Sequence, residues 1–409
     1  MQTKLAPSVR DTALGQEADE ILRRCVHCGF CTATCPTYQI LGDELDSPRG
    51  RIYLIKEMLE GKEVTKTTQV HLDRCLTCRN CETTCPSGVE YGKLIDIGRQ
   101  MVDQKIQRPL SQRLTRQALR RTMNAPWFAQ AYRLGQMVRE WLPAALKKKV
   151  LAKQSMGQLP VSTAHYPRQV LMLNGCVQPG MMPNIDAATI RVLDRLGVGT
   201  QVVSGSGCCG ALNFHLDAQE QARSQMRANI DAWWPLINSG SVEAIVMNAS
   251  GCGAMVKEYG HHLRLDPAYA EKAKVISEHV KDIAEILSPM SAILKEKLKA
   301  SRLPGRTVFH PPCTLQHWQG LRPVSESLLK SLGIELQPFE ETHLCCGSAG
   351  AYSVLQPEIS TALRDRKLGH VSQAKPEVIV SSNVGCIGHL QSGTDTPVKH
   401  WIEVIDQAL

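Results

Sequence analysis

Hydrophobic and polar positions follow two regimes along the chain. From residue 168 onward, apolar and often β-branched runs such as "QVLML", "TQVVS" and "AIVM" each lead into a turn and then a stretch of helical spacing. The order returns after residue 306, where "TVF" and "VIVS" are the apolar runs. Short buried strands alternating with helices predict parallel sheets. Upstream, "SPRGRIYLIKEMLEG" reads as one capped helix, with Ser47 as N-cap, Pro48 in the first turn and Gly61 at the end. Further on, Leu134, Met137, Val138, Trp141 and Ala145 recur at helical spacing and predict an amphipathic helix. No run of about 18 apolar residues appears, so no transmembrane helix is expected.

Composition adds one dominant fact. The 409 residues include 16 cysteines. The start "MQTKLAPSVRDTALGQEADE" has neither an apolar export region nor twin arginines. A cytoplasmic protein is expected, or one attached to the cytoplasmic face of the inner membrane. Metal ligation then outranks disulfide formation. The length suits several domains, and the patterns divide it into residues 1–103, 104–166, 167–300 and 301–409.

Eight of the cysteines fall in two tight sets. "CVHCGFCTATCP" supplies Cys25, Cys28, Cys31 and Cys35, and "CLTCRNCETTCP" supplies Cys75, Cys78, Cys81 and Cys85. Both fit the bacterial ferredoxin run C-x2-C-x2-C-x3-C-P, in which the fourth cysteine serves the other cluster. That rule assigns Cys25, Cys28, Cys31 and Cys85 to one 4Fe–4S cluster, and Cys75, Cys78, Cys81 and Cys35 to the second. A structural zinc site would need only four thiolates, and chance rarely supplies two complete runs. The capped insert between the sets points to a helical cluster domain, similar to that of succinate dehydrogenase iron–sulfur subunits, rather than a compact ferredoxin with a loose insertion.

The other eight cysteines repeat. Cys176, the pair Cys208–Cys209 and Cys252 each follow an apolar run, as do Cys313, the pair Cys345–Cys346 and Cys386. In both copies 31 residues lie between the single cysteine and the pair. Ligands of parallel sheets gather beyond the carboxyl ends of the strands, so each set of four thiols is expected to converge. Gly175, Gly207, Gly210, Gly251, Gly347 and Gly385 beside them allow close backbone approach and N–H groups aimed at sulfur. "GSGCCG" also satisfies a dinucleotide fingerprint. Its counterpart "LCCGSAG" keeps the cysteine pair and loses the first glycines, so the repeated element is the sulfur pair and not the phosphate turn.

Between Gln104 and Lys153 twelve basic residues face the single acid Glu140, within a chain of net charge +8. Trp127, Phe128, Tyr132 and Trp141 add aromatic bulk. A basic amphipathic segment of this kind suits a membrane surface or a partner subunit. A solvated helix packed on its own protein remains open, and so does nucleic-acid contact through Arg120, Arg121 and Lys147 to Lys149. No recognition motif accompanies the charge, so no specific nucleic-acid partner is expected.

The repeats resemble the cysteine-rich "CCG" domains of heterodisulfide reductases and related oxidoreductases. In that family a C, CC-G, C-x-x-C pattern of five cysteines carries an iron–sulfur cluster. Here Met255 and His389 stand where the fifth cysteine belongs. Each copy keeps four candidates, and a cluster, reactive thiols and structural cysteines all stay open, as does disulfide reductase chemistry at these sites. His389 stays open as a ligand, although a lone histidine in a turn is more often only hydrogen-bonded.

Two ferredoxin runs followed by two CCG copies, with the wording "CVHCGFCTATCPTY", "DSPRGRIYLIKEML" and "CLTCRNCETTCPSGV", are similar to the iron–sulfur subunits of the glycolate oxidase family. The iron–sulfur proteins of anaerobic glycerol-3-phosphate and lactate oxidation share the plan. The resemblance implies a separate flavin-containing subunit that oxidises glycolate, with this chain carrying its electrons towards membrane quinone. No flavin or nicotinamide motif of its own is present, and no catalytic residue is expected in this chain.

Overall fold

The computed structural model describes residues 1–143, 147, 150–160, 166–173 and 175–409. Ala145, Lys148 and Lys149, named above, lie outside the described residues. Two compact units emerge. One comprises Met1–Gln117 with His343–Lys367, the other Ala118–Thr342 with Leu368–Leu409.

The first unit is helical. Ser47 caps helix Pro48–Leu59, its hydroxyl accepting from the Gly50 amide at 3.0 Å, with Pro48 in the first turn. Gly61 follows the helix end at φ +93°, in the left-handed region that glycine adopts freely. Helices Ala13–Arg24, Lys66–Asp73 and Tyr91–Lys105 complete a core of Ile21, Leu22, Ile55, Leu59, Leu72 and Leu94. Such all-helical packing holds the short connections between helices in place, and these carry the cysteines, with Cys31 and Cys81 in the one-turn helices Phe30–Ala33 and Asn80–Thr83.

In the second unit every strand pairing is parallel. Strands β1 (Arg168–Met172), β2 (Val198–Val202), β3 (Ala244–Met247) and β4 (Val280–Asp282) form a sheet in the order β2-β1-β3-β4. Strands β5 (Thr307–Phe309), β6 (Val378–Ser381) and β7 (Val398–His400) pair as β5-β6-β7, with a bridge from Thr307 to Leu336 on the outer side of β5. That bridge occupies the place of β2, so the second sheet repeats the order of the first with one strand reduced to a single pairing. The sequence repeat is thus a repeat of topology.

The two copies are joined by polar as well as apolar contacts. Arg191 binds Asp406 at 2.6 Å and Asn184 binds Glu403 at 2.8 Å, linking helix Asn184–Arg195 to helix Trp401–Ala408. His400, fully buried, places Nε2 2.8 Å from the carbonyl of Asn248. The Asn248 amide in turn bonds Asp186 and Thr189. Met255, where a fifth CCG cysteine would stand, packs in the apolar core of the first copy.

The basic segment is partly absorbed into the fold. Arg108 is buried against Asp73 and Asp103, and Arg116 also reaches Asp73. Helix Phe128–Met137 docks through Gln136, whose amide reaches the Met181 carbonyl at 3.2 Å, and through Tyr132, whose hydroxyl accepts from the Leu151 amide. The apolar stripe read from the sequence faces outward: Leu134, Met137 and Val138 are exposed, and Trp141 is 86% exposed.

Candidate metal centres

Both ferredoxin-type loops adopt the same unusual backbone. His27 and Gly29 in the first, and Thr77 and Arg79 in the second, have positive φ of 57°, 85°, 51° and 59°. Three of the four are not glycine, so each loop holds a conformation that side chains disfavour. The gain is directional. The backbone N–H two residues past the first cysteine turns towards its sulfur: Thr77 donates to Cys75 Sγ at 3.4 Å, and His27 does the same for Cys25.

These loops surround two adjacent hollows. Cys25, Cys28, Cys31 and Cys85 line one of about 440 Å³. Cys35, Cys75, Cys78 and Cys81 line another of about 280 Å³. The fourth cysteine of each run therefore stands with the other run's first three. Pro48, Cys81 and Tyr91 line both, so the two hollows share a wall. Burial pushes the Cys31 thiol up to about 11 and raises Cys35 and Cys81 as well. Sulfur-only donor sets that are costly to ionise unaided fit a centre that takes thiolates and spreads their charge.

Charged groups gather behind the second hollow. Arg51 is fully buried; its Nε donates to the His71 carbonyl at 2.7 Å and its Nη1 to Thr37 Oγ1 at 3.0 Å. Asp46, also buried, meets Arg51 at 3.3 Å, Arg74 at 2.8 Å and His71 Nδ1 at 3.0 Å. Asp43, Asp46 and His71 approach as metal ligands might, but two guanidinium groups already occupy the Asp46 carboxylate. Nothing in the sequence marked this network beyond the arginine of the capped helix.

In the first CCG copy, Cys176 follows β1, Cys208 and Cys209 follow β2, and Cys252 lies in helix Ser250–Lys257 after β3. The thiols lie within reach of one another: Cys208 faces both Cys176 and Cys209, and Cys209 also faces Cys252. The neighbouring Cys176 holds the Cys208 thiol well below its usual range, while Cys176 and Cys209 are pushed up. Asn229 clamps this turn from helix Gln219–Asn238. Its Oδ1 accepts from the Gly207 amide at 2.7 Å, and its Nδ2 reaches the Cys208 carbonyl at 2.9 Å and Tyr259 Oη at 3.0 Å. Tyr259 Oη donates to the Cys209 carbonyl.

The second copy divides between units: Cys313 and Cys386 belong to the second, Cys345 and Cys346 to the first. Its turn nonetheless repeats the geometry of the first. The Gly347 amide donates to Cys345 Sγ at 3.4 Å, as Gly210 does to Cys208 Sγ at 3.4 Å. Both glycines have positive φ, 89° and 92°, and each lies against a helix carbonyl. A Cβ there would sit 2.3 Å from Ser360 O and 3.1 Å from Ala222 O. Hence the third residue of Cys-Cys-Gly must be glycine. The His389 carbonyl accepts from the Ser392 hydroxyl at 2.6 Å.

Helical loops that gather two thiol quartets, followed by two parallel-sheet repeats with cysteines at their strand ends, define an iron–sulfur protein of the ferredoxin-plus-CCG class. Residues 21–89 match the 4Fe-4S dicluster domain, and residues 170–257 and 307–391 match the Cysteine-rich domain. The chain is 52% identical over 410 residues to the "Glycolate oxidase iron-sulfur subunit" of Escherichia coli (strain K12), covering 100% of this chain and 99% of that protein. It is 30% identical to the "Probable glycolate oxidase iron-sulfur subunit" of Bacillus subtilis (strain 168), over 91% of this chain and 89% of that protein. "Lactate utilization protein A" of Geobacillus thermodenitrificans is 31% identical but covers 54% of this chain. The chain belongs to the family of glycolate oxidase iron–sulfur subunits.

Proposed function

We propose that the chain is the electron-transfer subunit of a flavin-dependent glycolate dehydrogenase, carrying electrons from a flavin subunit towards quinone at the cytoplasmic face of the inner membrane. The observation behind this reading is the pair of adjoining thiol quartets in one unit of a chain 52% identical to a glycolate oxidase subunit throughout. Cys25, Cys28, Cys31 and Cys85 would hold one 4Fe–4S cluster, and Cys75, Cys78, Cys81 and Cys35 a second. When bound, such clusters supply one-electron carriers between a two-electron flavin donor and an acceptor. The protein's part is to fix the sulfurs, aim the Thr77 and His27 amides at them, and exclude water through Pro48, Val89 and Tyr91. The four thiols Cys176, Cys208, Cys209 and Cys252, and the set Cys313, Cys345, Cys346 and Cys386, are candidate sites for further clusters.

The outward apolar stripe of Leu134, Met137 and Trp141 in the basic segment supports a membrane or partner contact. Among the described residues no helix is long and apolar enough to cross a membrane, so contact would be peripheral. The test is anaerobic purification with the flavin subunit. Expected are about eight iron atoms per chain from the ferredoxin-type sites, more if the CCG sites load, and bleaching by glycolate only when the flavoprotein is present. Glycolate oxidation by this chain alone would end the proposal.

A further inference from the structure

We propose that Arg51 sets the potential of one centre: a permanent positive charge, buried beside the sulfurs of Cys35 and Cys75, that makes the group held by Cys35, Cys75, Cys78 and Cys81 the more easily reduced of the two. The inference rests on the reading that both hollows hold 4Fe–4S clusters.

Arginine is almost never fully buried without paired partners, and Arg51 has three, of which Thr37 lines this hollow together with Arg51 itself. Thr37 Oγ1, which accepts from Arg51, lies 3.3 Å from Cys35 Sγ. Tyr91 Oη donates to Cys75 Sγ at 3.6 Å. The charge is not cancelled by its counter-ion. One carboxylate, Asp46, faces the guanidinium groups of both Arg51 and Arg74. A third, Arg99, donates to the Cys75 carbonyl at 2.6 Å. Two fixed cations against one anion leave net positive charge in a medium of low dielectric, where its field is weakly screened.

The other hollow matches Arg99 with the amino terminus, which donates to the Cys25 carbonyl at 2.7 Å, and differs in its arginine. Its lining arginine, Arg49, has a side chain 37% exposed and paired one-to-one with Glu44 at 2.6 Å. Solvent screens that pair. Reduction adds one negative charge to a cluster, so uncompensated positive charge beside it stabilises the reduced form and raises its potential. Buried ion pairs of this kind contribute little net stability compared with apolar packing. The position of Arg51 is better accounted for by the field it places on the sulfurs.

The test is a dithionite titration of the anaerobic full-length holoprotein, followed by electron paramagnetic resonance and iron content. Signals are assigned by which of Cys78→Ser and Cys28→Ser removes them. Arg51→Met is expected to lower the reduction equilibrium constant of the Cys78-dependent centre tenfold or more, about 59 mV for one electron, while the Cys28-dependent centre stays within threefold. Arg51→Lys should restore most of the shift, and Asp46→Asn, which keeps the guanidinium and frees its charge, should move the same centre upward. The proposal falls if Arg51→Met leaves that centre unmoved, if Arg51→Lys shifts it as far as Arg51→Met, or if both centres move equally. Should Arg51→Met lose its iron, an unmoved centre in Asp46→Asn overturns the proposal and an upward shift sustains it. Fewer than about eight iron atoms in the wild type would instead overturn the two-cluster reading.

Discussion

Replacing Asn229 by alanine tests how the first CCG turn is held. Asn229 is 1% exposed and makes three hydrogen bonds, to the Gly207 amide, the Cys208 carbonyl and the Tyr259 hydroxyl. The losses are unequal. Gly207 and Cys208 are only half-buried, so water can replace the missing partner at about 1 kcal/mol each. Tyr259 is fully buried and keeps its bond to the Cys209 carbonyl, so its lost acceptor role adds about another 1 kcal/mol. The small cavity left by the amide brings the total to roughly 3–4 kcal/mol. The assay is urea unfolding of the second unit by circular dichroism, with maleimide labelling of Cys208 as the local readout. Asn229→Ala should unfold at lower urea and label faster, because the carbonyl that orients the turn is released. Asn229→Asp keeps the shape but removes the donor to both Cys208 and Tyr259 and sets a buried carboxylate against the Cys208 carbonyl, so it should destabilise at least as much. A variant within 0.5 kcal/mol of the wild type with unchanged labelling would refute this account of the turn.

Three further outcomes follow from positions already described. Gly347→Ala should destabilise more than Gly210→Ala in thermal melts. Both must enter a left-handed conformation at about 1–2 kcal/mol, but only the first meets a helix carbonyl at 2.3 Å; equal shifts would contradict this. Burial holds His400 down to about 3, outweighing the Asn248 carbonyl at Nε2, which favours the protonated ring; Nδ1 already accepts from the Ile402 amide. The unfolded chain therefore takes up this proton first as pH falls below about 6.5, and the contribution, complete above that pH, is reduced by about 2 kcal/mol at pH 5. Asp186 and Asp282, raised by burial to about 6 and about 7, act in the opposite sense, losing their contribution as pH rises through those values. The measurement is thus the stability difference between wild type and His400→Gln, which should shrink from pH 7 to pH 5; a flat difference argues against it. Finally, replacing Leu134 and Trp141 by serine should reduce co-sedimentation with anionic phospholipid vesicles while leaving the melt unchanged, and no sedimentation of the wild type would remove the membrane contact.

Much of the architecture was legible because cysteine spacing and strand patterning are local. Ser47 and Pro48 announced their helix, and the runs before Cys176, Cys208 and Cys252 announced β1, β2 and β3. Strands β4 and β7 were not, since "VKD" and "VKH" are too short and polar to stand out by pattern. The outward face of the stripe through Trp141 was also hidden: periodicity shows that a helix has two faces, not which one is covered. Arg51 and Asn229 act through long-range partners, and no local signal distinguishes a buried arginine or asparagine from an exposed one. The left-handed residues His27, Thr77 and Arg79 went unseen for a related reason, because their side chains do not favour the conformation that the loops impose.

The inclusion of His343–Lys367 in the first unit bears on how the protein is made. Asn80, between the ligand candidates Cys78 and Cys81, donates to the carbonyl of His343, and Tyr352 donates to that of Arg74, 278 residues away. A ribosome releases the eight ferredoxin-type cysteines early, yet His343–Lys367, which belongs to the same unit, is made long after them. Contacts of such long separation form late in folding. The nascent chain therefore carries open, thiol-rich loops through most of translation, exposed to oxidants and stray metals. Delivery of iron and sulfide, or a chaperone guarding the site, has its natural window in that interval, before Asn80 and Arg74 meet their distant partners.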